Sequence, residues 1–216
     1  MRYVKVSLVP LDGDLGPVDE AIASEPSVTR EAILHLNRLD DGTAVFLIRL
    51  RGDADRLDAL LDAREEVIAH NVSAFRDEIQ AYLHVEPTDA VAALLDLTQE
   101  HEFVIDTPIE YGADGSIQVA VIGQEEPVRR AIEAVPDGIR VELQQLSDYD
   151  PALRELSSLL TPRQREILDT AAALGYYRVP RRATHQDIAD ELGLSTTTVG
   201  EHLRKIEARM LSELAN

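Results

Sequence analysis

Two apolar periods take turns along the first 150 residues. Runs of period two, such as "RYVKVSLV", "REAILHLNRL" and "TAVFLIRLR", read as strands. Between them lie runs of period three to four. "PVDEAIAS" carries Pro17 in its first turn, and "DADRLDALLDA" sets Leu57, Leu60 and Leu61 on one face. With "EVIAHNVSAF" as a further strand, the predicted order is β-α-β-β-α-β. The order then repeats. "EIQAYLHV" is a strand, "TDAVAALLDLTQEH" a helix, "FVIDTPIEYG" and "SIQVAVIG" strands, "EEPVRRAIEAV" a helix and "IRVELQQLSDY" a strand.

Each half places a hairpin turn between its second and third strands, at Asp41-Gly42-Thr43 and Asp114-Gly115-Ser116. The turns lie about 73 residues apart. The expected fold class is therefore α+β: tandem ferredoxin-like βαββαβ units, each completing its own sheet. "AVFLI" (Ala44 to Ile48) and "VAVI" (Val119 to Ile122) are apolar at every position. Unbroken apolarity predicts strands covered on both faces, by helices on one side and by the sister sheet, a second subunit or a ligand on the other.

Asp148 to Pro151 break the last strand. Leu153, Leu156, Leu159 and Leu160 then have helical spacing, which predicts a short amphipathic linker helix over 151–160. From 161 onward the grammar changes to three helices. Thr161-Pro162 reads as an N-cap followed by Pro at the first helical position, and "RQREILDTAAALG" continues to Gly175. "YYRVPRRA" is an irregular connector with three arginines. Thr184 caps a second helix, with Asp187 three positions on as its reciprocal partner. Gly193 supplies a left-handed turn, and Ser195 caps a third helix whose Val199, Leu203, Ile206 and Met210 form one stripe. This is helix-turn-helix grammar, with the third helix in the recognition position. The expected domains are 1–150 for sensing or dimerisation, the linker 151–160, and 161–216 for DNA binding.

Charge sharpens the division. The chain of 216 residues has a formal net charge of -19, and its only lysines are Lys5 and Lys205. An acidic, lysine-poor surface suits a protein of molar salt, hence a halophile. From Thr161 onward eight basic residues balance eight acidic ones, so the first 160 residues hold all of the excess. A neutral reading domain on an acidic body is tolerable where the Debye length is only about 3 Å, because long-range steering gains little there. Such a domain relies on close hydrogen bonding and shape more than on counterion release.

Setting Val199 inward at roughly 100° per residue turns Thr197, Glu201, Arg204 and Ala208 outward. Thr198, Gly200 and Lys205 flank that face. Thr and Arg side chains can read base edges, and Gly200 would permit close backbone approach. Arg163, Arg165, Arg181, Arg182 and the start of the second helix at Thr184 are candidates for phosphates, and Ser195 and Thr196 at the start of the third helix are further DNA-binding candidates. Glu201 fits least well, because its carboxylate faces phosphates. It pairs with Lys205 or Arg204 along the helix, or it accepts a hydrogen bond from cytosine N4.

The stretch "LTPRQREILDTAAALGYYRVPRRATHQDIADELGLSTTTVGEHLRKIEARML" resembles the helix-turn-helix of haloarchaeal bacterio-opsin-activator-type regulators. "LDDGTAVFLIRL" and "VELQQL" resemble the sensor-like domain associated with it. The resemblance implies sequence-specific transcription regulation on double-stranded DNA, without naming a regulon. Specificity from two half-sites implies a homodimer. A small-molecule effector on the tandem units is a fold-level analogy.

Other readings stay open: a helix-turn-helix adaptor acting through protein contacts, and an enzyme with a DNA-binding tail. No nucleophile elbow, phosphate loop or paired-carboxylate arrangement stands out, so no enzyme and no cofactor are expected. His35, His70 and His84 lie singly on strands, and no metal site is expected from them. No apolar run spans a bilayer, "MRYVKVSLVP" lacks a signal-peptide pattern, and cysteine is absent. The expectation is a cytoplasmic protein without a membrane partner.

Overall fold

The computed structural model describes residues 1–11, 13, 15–112, 114–151 and 159–214. They form two compact units, Met1–Tyr149 and Asp150–Asn216. The body of the predicted linker helix lies outside the described residues.

The first unit runs β1 (Arg2–Pro10), α1 (Pro17–Ser24), β2 (Val28–Arg38), β3 (Ala44–Gly52), α2 (Ala54–Asp62), β4 (Val67–Phe75), β5 (Glu78–Val85), α3 (Asp89–Glu100), β6 (Phe103–Tyr111), β7 (Ile117–Gly123), α4 (Glu125–Glu133) and β8 (Ile139–Asp148). The twice-repeated βαββαβ succession is present. Local signals start the helices where the pattern places them. Asp53 accepts the Arg56 amide at 3.1 Å to begin α2, and Thr88 accepts the Val91 amide at 3.3 Å to begin α3.

The eight strands form one sheet, in the order β4-β5-β3-β2-β6-β7-β1-β8. The order is palindromic under the internal repeat, with β5 equivalent to β1, β3 to β7, β2 to β6 and β4 to β8. Each half has the strand order of a ferredoxin-like unit, but with the first strand contributed by the other half. This corrects the expectation that each unit completes its own sheet: β1 lies between β7 and β8, and β5 lies between β4 and β3. The cause is local. Only Arg76 and Asp77 separate β4 from β5, Arg76 has φ 60°, and Phe75 faces Glu78 across the turn. So short a connection commits β5 to hairpin pairing with β4, in the slot β1 would otherwise take. The halves meet edge to edge, where Ala32 pairs with Glu110 and Ile33 with Ile109.

All four helices share one core with a single face of the sheet. Leu50, Leu57, Leu61 and Ile79 are wholly buried in it, together with Val6, Val119 and Val128. On the opposite face Val45 and Leu47 are only half-buried, beside His84 and Tyr82 of the neighbouring strand. The second cover expected for β3 and β7 is thus not a sister sheet, because the sister strands lie alongside. Among the described residues of this unit no helix covers that face.

Candidate nucleic-acid interface

The second unit contains α5 (Pro162–Leu174), α6 (His185–Leu192) and α7 (Thr196–Leu214). Thr161 and Gln164 form a reciprocal capping box at α5, and Thr184 and Asp187 form another at α6. Gly175 and Gly193 close these helices in the left-handed region, with φ 83° and 64°. The core is the predicted one: Ile167, Ala171, Ile188, Ala189, Val199, Leu203 and Ile206 are buried, and Leu168, Leu192, Leu194 and Met210 pack on them. A single buried stripe fixes the rotation of α7 about its axis, and thereby which side chains it offers to a ligand.

Sequence reasoning missed how the connector between α5 and α6 is held. Tyr176 is buried, its hydroxyl lies 2.8 Å from His185 Nε2, and the two rings stack at 5.3 Å. The Arg181 guanidinium sits 4.0 Å above the Tyr176 ring. Tyr177 donates to Glu207 of α7 at 3.2 Å. Partial burial, and after it the Glu207 charge, push the Tyr177 phenol up to about 12. The paired tyrosines beside three arginines were the available signal. The connector is thereby fastened to α6 and α7, with Arg178 and Arg182 at its surface.

The candidate site residues separate into two groups. Thr197, Glu201, Arg204 and Lys205 are exposed on the outward face of α7, and no ion pair or hydrogen bond holds their side chains among the described residues. The intrahelical pair considered for Glu201 is not formed. Thr196 is exposed in the first turn, and Arg182 on the connector. The remaining candidates have partners inside the protein. Arg163 pairs with Glu166. Thr184 is taken up by the α6 cap, where its hydrogen bonds hold the Asp187 carboxyl below its usual range. Ser195 accepts the Thr198 amide at 3.1 Å, and its hydroxyl lies 2.8 Å from that of Thr198. Arg165 is half-buried and has a partner. Gly200 is turned toward α6, where an added Cβ would lie 3.4 Å from the His185 ring. Its missing side chain serves helix packing.

One cluster with metal-ligand geometry is found among the described residues, outside this unit. Asp58 and Asp62, one turn apart on α2, face His70 of β4, whose Nε2 lies 3.1 and 3.7 Å from them. The lone-histidine reading of His70 missed these neighbours, because strand and helix meet only in the fold. An imidazole N–H donating to Asp58 accounts for the geometry without an ion.

Three helices joined by a left-handed glycine turn, with an uncommitted polar face on the third, define a helix-turn-helix DNA-binding domain. Residues 160–212 match the family profile described as a helix-turn-helix DNA-binding domain, of the bacterio-opsin-activator type. Residues 16–149 match a second profile, the HVO_0513_N N-terminal domain. The chain belongs to the family that joins these two domains.

Its relatives are haloarchaeal. A Haloferax volcanii protein named as a candidate transcriptional regulator is 29% identical over 95% of this chain and 36% of its own length. The transcriptional regulator NarO of the same organism is 33% identical over 36% of the chain and 39% of NarO. The dimethyl sulfoxide reductase transcriptional activator of Halobacterium salinarum is 41% identical over 24% of the chain and 23% of that protein. The chain thus matches less than two fifths of the length of each of these relatives.

Proposed function

We propose that the chain is a sequence-specific DNA-binding transcription regulator of a halophilic archaeon, working in the cytoplasm, in which α7 reads the major groove. The observation that carries this reading is the outward face of α7, where the side chains of Thr197, Glu201, Arg204 and Lys205 are exposed and have no partner among the described residues. Arg204 is assigned to a guanine edge, where a bidentate contact is worth about 1–3 kcal/mol of discrimination. Arg182 and Thr196 are assigned to phosphates. Glu201 is assigned to cytosine N4, since the intrahelical alternative is not formed.

Binding to a library of single-substitution operators tests these roles. Arg204→Ala and Glu201→Gln are each expected to relax preference at one base pair, and Arg182→Ala to weaken all operators alike. A uniform loss for Arg204→Ala would remove Arg204 from the specificity set. If no duplex in a genome-wide selection is enriched, the adaptor reading stands in its place.

We further propose a homodimer, because one recognition helix covers few base pairs. The uncovered face of the sheet supports it. There Tyr3, Ile122 and Val104 lie in one cross-strand row, with Val104 66% exposed. Light scattering in molar salt is expected to give twice the chain mass, and Ile122→Asp to give the monomer. Wild-type protein that stays monomeric with and without DNA would refute the dimer. The first unit is also assigned an effector site, in keeping with a cavity beneath its helices.

A further inference from the structure

Beneath α3 lie two neighbouring cavities, one of about 130 Å³ bounded also by α4 and one of about 300 Å³ bounded also by α1, which share Leu15, Ile33, Phe46 and Val91 in their walls. The smaller is lined by apolar side chains except for Thr98. Cavities of this character stay dry and accept apolar ligands. The larger has a polar end made of Asp19, Glu66, Glu86, Thr88 and Tyr111, with no basic residue in its wall. This is the composition of a ligand site, an apolar body with a few convergent polar groups.

We propose that this cavity binds an apolar amine, with its hydrocarbon against Phe46 and Val91 and its ammonium among Asp19, Glu66 and Glu86. The proposal rests on the effector reading above and adds the chemical class. The charge of the polar end decides the class. Arg30 is already engaged: its guanidinium pairs with Asp19 at 2.5 Å and lies 4.7 Å over the Tyr111 ring. That leaves Glu66 and Glu86 without a compensating cation in the wall.

Burial, and after it the Asp19 charge, raise the Tyr111 phenol, so it stays neutral and offers a hydroxyl rather than an anion. The first turns of α1 and α3 also border the cavity, and bare helix starts would favour an anion. Here they already carry negative charge: Asp19 and Glu20 lie in the first turn of α1 and Asp89 in that of α3, where Thr88 also accepts the Val91 amide at 3.3 Å. In molar salt only charges in contact attract strongly, so a carboxylate that touches the ligand outweighs the distant acidity of the surface.

The test uses the full chain in molar potassium chloride and three probes of equal chain length: n-octylamine, n-octanol and octanoate. The melting temperature of the first unit is followed by calorimetry. Octylamine is expected to raise it by roughly 5 °C at a hundredfold excess over Kd, octanol by less, and octanoate not at all. Val91→Phe, which fills the shared wall, should abolish the shift. Glu66→Gln with Glu86→Gln should bring the amine down to the level of the alcohol and leave the alcohol unchanged. This second variant alters only the rim, so it keeps the test decisive if Val91→Phe fails to fold. Octanoate stabilising as well as octylamine, or an amine shift undiminished in the rim variant, would overturn the proposal, as would no shift with any probe. Operator affinity measured with and without octylamine separates the two readings. Binding that leaves operator affinity unchanged sinks the effector role and keeps the site, whereas absent amine binding sinks the site and leaves DNA recognition standing.

Discussion

Cutting the chain between Arg76 and Asp77 is expected to leave neither half of the first unit folded alone, although the cut falls between two complete βαββαβ successions. The reason is the exchange of first strands. Residues 1–76 keep β2, β3 and β4 but lose β5, which pairs with both β3 and β4. They also carry β1, whose partners β7 and β8 lie in the other half. The lost strand supplies Ile79, Ala81, Leu83 and Val85 to the core, all at most 7% exposed. Full burial of an aliphatic side chain is worth about 1.5–3 kcal/mol. Losing Ile79, Leu83 and Val85, with Ala81 adding less, approaches the whole stability of a domain, about 5–15 kcal/mol.

The expected result is no cooperative melting for either fragment, recovery on mixing the two, and an ordinary transition for residues 1–150, which should not bind DNA. One competing outcome has a structural basis, since β1 could fold back into the slot that β5 occupies. Two folded monomeric halves would show that the exchange is dispensable.

That exchange also marks where the sequence stopped being legible. Element identities were readable because each amphipathic period is a local property. α1 and β5 fall on the very residues their patterns delimit, and the caps at Thr161, Thr184 and Gly193 were visible as residue types. Pairing between strands is not local. An apolar strand such as "RYVKVSLV" fits any slot whose neighbours bury Val4, Val6 and Leu8, and periodicity cannot say which half owns the slot. The connection carries the information: two residues between β4 and β5 are too few for anything but a hairpin.

The recognition face shows the same limit. Rotation of α7 follows from its buried stripe, and Thr197, Glu201 and Arg204 are exposed on the face it turns outward. Which polar groups are already used was not readable. Ser195 and Thr198 bond to each other, Gly200 meets His185, and Arg181 lies on Tyr176, because side-chain partners depend on elements brought together by folding. The cluster of Asp58, Asp62 and His70 is illegible in the sequence for the same reason.

Gly52→Ala is expected to destabilise the first unit by about 3–5 kcal/mol, which is large for the addition of one methyl group. Gly52 ends β3 with φ 126°, a region that side-chain-bearing residues rarely adopt. That strain alone costs about 1–3 kcal/mol. The added Cβ would also lie 1.9 Å from the Ser27 carbonyl oxygen, so something must move. Neither side moves freely. The Gly52 amide donates to the Asp77 carbonyl at 3.1 Å, and the Ser27 oxygen accepts the Asp53 amide at 3.0 Å. Asp53 in turn caps α2, and Asp77 lies in the hairpin that commits β5 to its exchanged position. Relieving the clash therefore breaks a backbone hydrogen bond, at about 1–3 kcal/mol for the group left unpaired. The melting temperature of residues 1–150 should fall by roughly 10 °C. Gly42→Ala is the control. Its φ is also positive, at 87°, but nothing lies within 4 Å of the added Cβ, so strain is its whole cost. Equal losses for the two variants would show that the contact with Ser27 carries no weight. A separate transition of the DNA-binding unit that moves with Gly52→Ala would show that the two units do not unfold independently.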